Sequence, residues 1–199
     1  MSDLPAELVA MINAVHPLPD PVWSALRPLL SRRPLARGEH FAVLGKRQRT
    51  IGLLERGVVR AYYTTADGKE YNKYFFVAPA LIGDYASLLT RQPVELPQEA
   101  LTDSVVWTLE HDALLRLERD FIDLLQIQRR FAESLYLENE RRELEIATMS
   151  ASRRYAALTE RYPRLEFEIP LYQIAAYLGI TPTQLSRLRS RRKSRRVST

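Results

Sequence analysis

The stretch Leu171-Tyr-Gln-Ile-Ala-Ala-Tyr-Leu-Gly-Ile-Thr-Pro-Thr-Gln-Leu-Ser-Arg-Leu-Arg189 leaves the chain little choice of local structure. Leu171, Ile174, Ala175 and Leu178 recur at helical spacing and make one apolar face. Gly179 follows where a left-handed residue must end the helix, a conformation that strains any bulkier side chain. Thr181 then reads as the N-cap of a second helix, Pro182 suits its first position, and Gln184 completes a Thr-x-x-Gln capping box. Ala175 is small where two such helices would cross. The segment is therefore expected to form a helix, a tight turn and a second helix.

At about 3.6 residues per turn, Leu185 and Leu188 of the second helix face inward. Thr183, Ser186, Arg187, Ser190 and Arg191 point away from the core, with Thr181 and Gln184 at the entrance. Arginine can bind guanine through two parallel hydrogen bonds, and Ser, Thr and Gln can bond a base edge or a phosphate. Charge agrees with that chemistry. No acidic residue follows Glu168, while Arg187, Arg189, Arg191, Arg192, Lys193, Arg195 and Arg196 carry seven positive charges. The net charge of +5 is thus a basic end on a body of 22 basic and 24 acidic residues. One-sided charge beside a helix-turn-helix pattern points to double-stranded DNA, with Arg191 to Arg196 placed to touch phosphates.

The 199 residues as a whole have the 46% hydrophobic and 27% charged composition of an ordinary globular protein. Cysteine is absent, which excludes disulfides, thiolate-held zinc and cysteine-ligated iron–sulfur clusters. The N-terminus is acidic and no apolar run approaches the roughly 18 residues of a membrane span, so a cytoplasmic protein with no membrane partner is expected. Prolines 17, 19 and 21 divide the first 31 residues into two short helices, the second starting with Asp20 as N-cap. From Arg32 to about Trp107, short runs of Val, Ile, Tyr, Phe and Thr alternate with turn signals, the texture of a small barrel, sandwich or jelly roll. Within it, residues 58–65 and 69–77 flank Ala66-Asp67-Gly68 as a hairpin. From His111 the pattern turns helical, and Phe121, Leu124, Leu125, Phe131 and Leu135 form a seam. That seam either covers the β body or pairs with the same helix of a second copy, and the repeat near 3.5 residues favours a homodimer.

Taken together, these segments resemble the Crp/Fnr family of bacterial transcription regulators. The likeness covers nearly the whole chain: an N-terminal helix, strands ending in Leu81-Ile-Gly-Asp84, a long helix from about 112, and the terminal Leu185-Ser-Arg187. It implies an α+β fold with a cyclic-nucleotide-binding-like β-roll (jelly roll) over 1–110, a long dimerisation helix over 111–143 and a winged helix-turn-helix over 144–199. It also implies an effector pocket near Gly83, Asp84, Tyr85, Arg91 and Glu95, and contact with RNA polymerase. The family's cyclic-nucleotide cassette pairs Gly-Glu with a later Arg-Ser or Arg-Thr that holds the cyclic phosphate. Gly83-Asp84 keeps the first half, but Val94-Glu95 stands at the second, and Arg91 is three positions out of register. An acid at a phosphate site repels, so gating by cyclic AMP in the usual manner is not expected. The alternative is a β-roll that senses a different small molecule, with Tyr62, Tyr63, Tyr71, Tyr74 and Tyr85 as candidate lining.

No enzyme is expected. His16, His40 and His111 lack ligand-like spacing, which argues against a metal, and no nucleophile has a neighbouring base in sequence. No cofactor is implied.

Overall fold

The structure, a computed structural model, describes residues 4–197, with side chains as far as Arg191. Two short helices come first, α1 (Ala6–Val15) and α2 (Asp20–Leu26). Asp20 opens α2 from within, with Pro19 at the cap position and no side-chain capping bond, so the expected N-cap is one residue out.

The β body spans β1 (Ser31–Leu35), β2 (His40–Ala42), β3 (Thr50–Arg56), β4 (Val58–Thr64), β5 (Glu70–Val77), β6 (Ala80–Ile82), β7 (Gln98–Ala100) and β8 (Ser104–Glu110), with helix α3 (Tyr85–Thr90) between β6 and β7. Two antiparallel four-stranded sheets result, ordered β1-β8-β3-β6 and β2-β7-β4-β5. They face each other across Leu35, Phe41, Leu54, Val59, Ile82, Ala100 and Val106, the interior of a β-roll. The β4–β5 hairpin closes as its sequence requires. Gly68 takes φ +80°, Gly68 N–H donates to Thr65 O at 2.9 Å, and Thr65 N–H donates to Lys69 O at 2.9 Å.

The helical stretch expected as one element over 111–143 is two. Helix α4 (His111–Leu117) packs on β8, from which it springs, and α5 (Ile122–Thr148) packs against α1. Phe121, with extended backbone, makes the change of direction between those two surfaces. Leu124 lies 1% exposed in the cluster that α1, α2, β3, β8, α4 and α5 share. His16 Nε2 meets Asp123 Oδ1 at 3.2 Å, and Arg130 donates to Val15 O at 3.0 Å, fixing α5 against the N-terminal helices.

After Met149 and Ser150 come α6 (Ala151–Arg161), α7 (Leu165–Glu168), α8 (Leu171–Leu178) and α9 (Pro182–Val197). Ser150 caps α6 by accepting from Arg153 N–H at 3.4 Å. The wing implied by the resemblance is not formed: among the described residues no strand follows Glu110. The residues ahead of α8 coil into the single turn of α7, closed by Ile169 N–H donating to Leu165 O at 3.1 Å, and the residues past the turn extend α9 to Val197.

Leu124→Ala removes a fully enclosed side chain from a packed cluster, and truncations of this kind cost about 2–5 kcal/mol. Urea denaturation should show a lower midpoint with an unchanged slope.

Candidate nucleic-acid interface

The two terminal helices are built by the signals read from the sequence. Gly179 takes φ +66°, and both Gly179 and Ile180 N–H donate to Ala175 O. Gln184 N–H donates to Thr181 Oγ1 at 3.2 Å while Thr181 N–H donates to Gln184 Oε1 at 2.9 Å, so the capping box is reciprocal. Ile174, Ala175, Leu178 and Leu185 are each 1% exposed and form one cluster with Tyr155, Leu158 and Leu165. Leu188 packs on its edge.

That inward lock aims the outer face of α9. Thr181, Thr183, Gln184, Ser186, Arg187, Ser190 and Arg191 are all exposed. Gln184 spends its carbonyl oxygen on the cap, and Ser190 Oγ donates to Ser186 O at 3.2 Å. Arg187 has neither an ion pair nor a side-chain hydrogen bond to a described residue. Arg189 differs: its Nε lies 3.5 Å from Glu166 Oε2, an oxygen that also accepts from Tyr155 Oη at 2.6 Å. Burial first, then Glu166, pushes the Tyr155 hydroxyl up to about 12, so it remains a donor at neutral pH. Arg189 is thereby turned toward its own domain. The basic run beyond Arg191 lies outside the described side chains.

Helix α8 is also tied to the β-roll, by residues that the sequence did not single out. Arg60, buried on the outer face of β4, donates from Nε to Glu99 Oε2 at 2.8 Å and forms an ion pair from Nη1 to Glu70 Oε2 at 2.6 Å. The same Nη1 reaches Asn72 Oδ1 at 3.2 Å and Gln173 Oε1 at 3.1 Å, crossing to α8. Asn72 Nδ2 completes the link by donating to Gln173 Oε1 at 2.7 Å and Gln173 O at 2.8 Å. The guanidinium carbon lies 3.9 Å from the Tyr62 ring centre. Burial works against the Arg60 charge, but Glu70 and Glu99 outweigh it and hold its pKa above the ordinary value. Beside this network Phe75 stacks on Tyr177 at 5.1 Å, and Arg142 of α5 donates to Tyr177 O and lies 3.8 Å from its ring centre.

The expected effector pocket is not assembled as such. Gly83 N–H donates to the buried Gln98 Oε1 at 2.8 Å, and Asp84 caps α3 by accepting from Ser87 N–H at 3.4 Å. Tyr85 meets Phe131 edge-on at 6.2 Å. Val94, at the register of the phosphate-holding arginine, is 1% exposed and ladders its backbone with Gly45 and Lys46, while Glu95 and Arg91 are exposed. The tyrosines disperse. Tyr62 lies under Arg60, Tyr63 is exposed, and Tyr74 donates to Asn139 of α5, its pKa pushed up to about 12 mainly by burial. Lys69 lies 4.7 Å from the Tyr71 ring.

The α5 seam divides between two faces. Leu124 is interior, Phe121 packs on the same cluster, Phe131 sits on Tyr85, and Leu135 is half-buried, so these four line the protomer side. Leu124 therefore cannot contact a partner. Leu125 alone of the five is on the outer face, where Ile122, Tyr136, Leu137 and Leu144 join it at 51–66% exposure. Periodicity alone could not tell the faces apart, because α5 is apolar on both.

No family model matches the chain and no curated protein is similar to it in sequence. Solved structures are. FixK2 from Bradyrhizobium japonicum aligns with a TM-score of 0.74 and 18% identity, covering 83% of this chain and 85% of that one. A CooA variant from Carboxydothermus hydrogenoformans gives 0.69 and 15%, covering 96% and 86%. The c-di-GMP-responsive regulator CLP from Xanthomonas campestris gives 0.67 and 12%, covering 88% and 92%. All three are Crp/Fnr regulators, and at these identities the likeness is one of fold: β-roll, long helix and helix-turn-helix.

Asn72→Ala takes from Gln173 Oε1 and O the amide that bonds them inside the joint between roll and α8. Loss of one side of a buried hydrogen-bonded pair costs roughly 1–3 kcal/mol, and the fall should appear in the urea midpoint whether unfolding is followed by far-ultraviolet circular dichroism or by tryptophan fluorescence.

Proposed function

We propose that this chain is a homodimeric, sequence-specific transcription regulator that reads double-stranded DNA with α9. The observation that carries the reading is the outer face of α9. Leu185 locks the helix from inside, and Thr183, Ser186 and Arg187 project into solvent with no acidic residue after Glu168 to neutralise them. A helix presented in this way fits the major groove, where Arg187 can pair with guanine O6 and N7 and Thr183 and Ser186 can bond neighbouring base edges. Thr181, Ser190 and Arg191 lie where phosphates flank the groove, and Gln184 keeps its amide donors for a base or phosphate. The function needs no catalytic group or resident cofactor, and it places the protein with the chromosome, in the cytoplasm of a bacterium.

Two copies would pair along the outer face of α5. Ile122 and Leu125 near one end, and Tyr136, Leu137 and Leu144 farther along, are exposed on that side, opposite the face that packs on the protomer, with the Arg129–Glu133 ion pair between the two groups, and large apolar side chains gathered on one exposed face mark an interaction site. A two-fold pair would set the two α9 helices on half-sites about one DNA turn apart and so require a palindromic target. Contact with RNA polymerase is the remaining expectation from the family resemblance.

The β-roll favours a regulator that does not take a cyclic nucleotide in the usual mode. The Gly83 donor is occupied by Gln98, and Val94 is part of the core. Either the dimer is poised for DNA without a ligand, or a different small molecule biases it.

Arg187→Ala should relax sequence preference by roughly 1–3 kcal/mol, the worth of one bidentate contact. Fluorescence anisotropy on a selected site and on random duplex should then converge, and equal losses on both would count against Arg187 as a base reader. Leu125→Glu and Leu137→Glu place charge in the paired face. Sedimentation should show monomers of unchanged thermal stability, whereas dimers persisting in both variants would remove α5 as the interface.

A further inference from the structure

A second cluster of positive charge lies far from α9 in sequence, in a cleft of about 300 Å³ on the β-roll. Three segments converge there: the β2–β3 connection with Arg47, Gln48 and Arg49, the end of α3 with Leu88 and Arg91, and the β8–α4 junction with Glu110, His111 and Asp112. The cleft shares only Arg91 with the effector pocket expected from sequence. Its backbone is firmly held. Arg47 forms a β-bridge with Pro93, and Arg49 O accepts from His111 N–H at 2.8 Å. Arg91 ends α3 at φ +62°, the one positive φ outside glycine among the described residues. A left-handed arginine is uncommon, and strained residues that persist cluster where a side chain must be aimed.

The three arginines are exposed and carry no partner among the described residues. No ion pair or side-chain hydrogen bond ties Arg47, Arg49 or Arg91 to another described residue, although Glu110 and Asp112 line the same cleft. His111 is 6% exposed, and its Nε2 is buried without a partner. Buried polar atoms in folded proteins are nearly always paired, so an orphan ring nitrogen on a residue that lines a cleft with three arginines points to a polar ligand there.

We infer that this cleft binds a small phosphate monoester, its phosphoryl oxygens accepting from Arg47, Arg49, Arg91 and His111. Arginine forks suit phosphate geometry. Glu110 and Asp112, which would repel a second anion, suit the hydroxyl groups of a polyol on the ester's other side. A compact dicarboxylate fits less well, because its second charge would face those acids. The site is separate from DNA reading and goes beyond that function.

Protonation adds a signature. Burial lowers the His111 pKa, Asp112 raises it and Arg91 lowers it again, so the free ring is neutral near pH 7. Arg47 and Arg49 face it from the β2–β3 connection, Arg91 from α3, and Glu110 and Asp112 from its own segment. An anion among these groups favours the imidazolium, so binding should tighten as pH falls from about 8 to 6.

Calorimetric titration of the full chain tests this, using sulfate as a dianion that does not titrate in this range, sn-glycerol 3-phosphate as the monoester and succinate as the dicarboxylate. One site per protomer is expected, with glycerol 3-phosphate tighter than sulfate and succinate weakest. R47Q and R91N should each weaken binding by roughly tenfold or more, the loss of one charge-assisted contact. Asparagine tolerates the left-handed backbone, so R91N should fold. H111Q should flatten the sulfate pH dependence, and R187Q, whatever it does to DNA binding, should leave the affinity for sulfate and glycerol 3-phosphate at its starting value. Binding that survives R47Q and R91N, or disappears with R187Q, would assign the anion to the DNA-reading helix and overturn the inference. Succinate binding more tightly than glycerol 3-phosphate would overturn the ligand class.

Discussion

A single buried guanidinium, Arg60, sets how the two halves of the molecule meet. Its two carboxylate partners come from neighbouring strands, and its other hydrogen bonds run through Asn72 and Gln173 into α8, the first helix of the terminal pair. A charge taken out of water is tolerated only when its donors are satisfied with good geometry. The partners here are not interchangeable with solvent, so the network resists sliding in a way that the adjoining Phe75–Tyr177 contact alone would not. The direction in which α9 points is consequently a property of the roll as well as of the terminal helices.

Much of the architecture was legible because it rests on local rules. Gly68 closes its hairpin and Gly179 its turn, each with a positive φ, and Thr181 and Gln184 cap one another as their spacing requires. These signals depend on residues a few positions apart, where backbone sterics and capping bonds decide the outcome. The outward set on α9 follows from helical geometry once Leu185 is placed inside.

What escaped the sequence depends on contacts distant along the chain. Arg60 in the run Val58-Val-Arg-Ala-Tyr62 looks like an outward charge on a half-exposed strand, and nothing nearby announces that Gln173 will cover it. Leu124 and Leu125 are neighbours in one apolar seam, yet one enters the core and the other faces solvent, because α1 covers only one side of α5. The break at Phe121 has no proline or glycine to mark it. The wing failed for another reason: it was carried by resemblance, and the residues ahead of α8 and those of 182–197 form helix here. His111 was set aside because no metal-ligand spacing surrounds it, whereas its environment is made by Arg47, Arg49 and Arg91 from other segments.

The reading of α9 as a recognition element held in a two-fold pair can be tested without knowing any target. Purified full-length chain, with no added ligand at near-physiological salt, would be used to select bound duplexes from a random pool, followed by sequencing. A palindromic consensus with half-sites about one helical turn apart is the result expected. Retention of every sequence alike, lost uniformly as salt rises, would mean that α9 meets only the phosphate backbone and would contradict it.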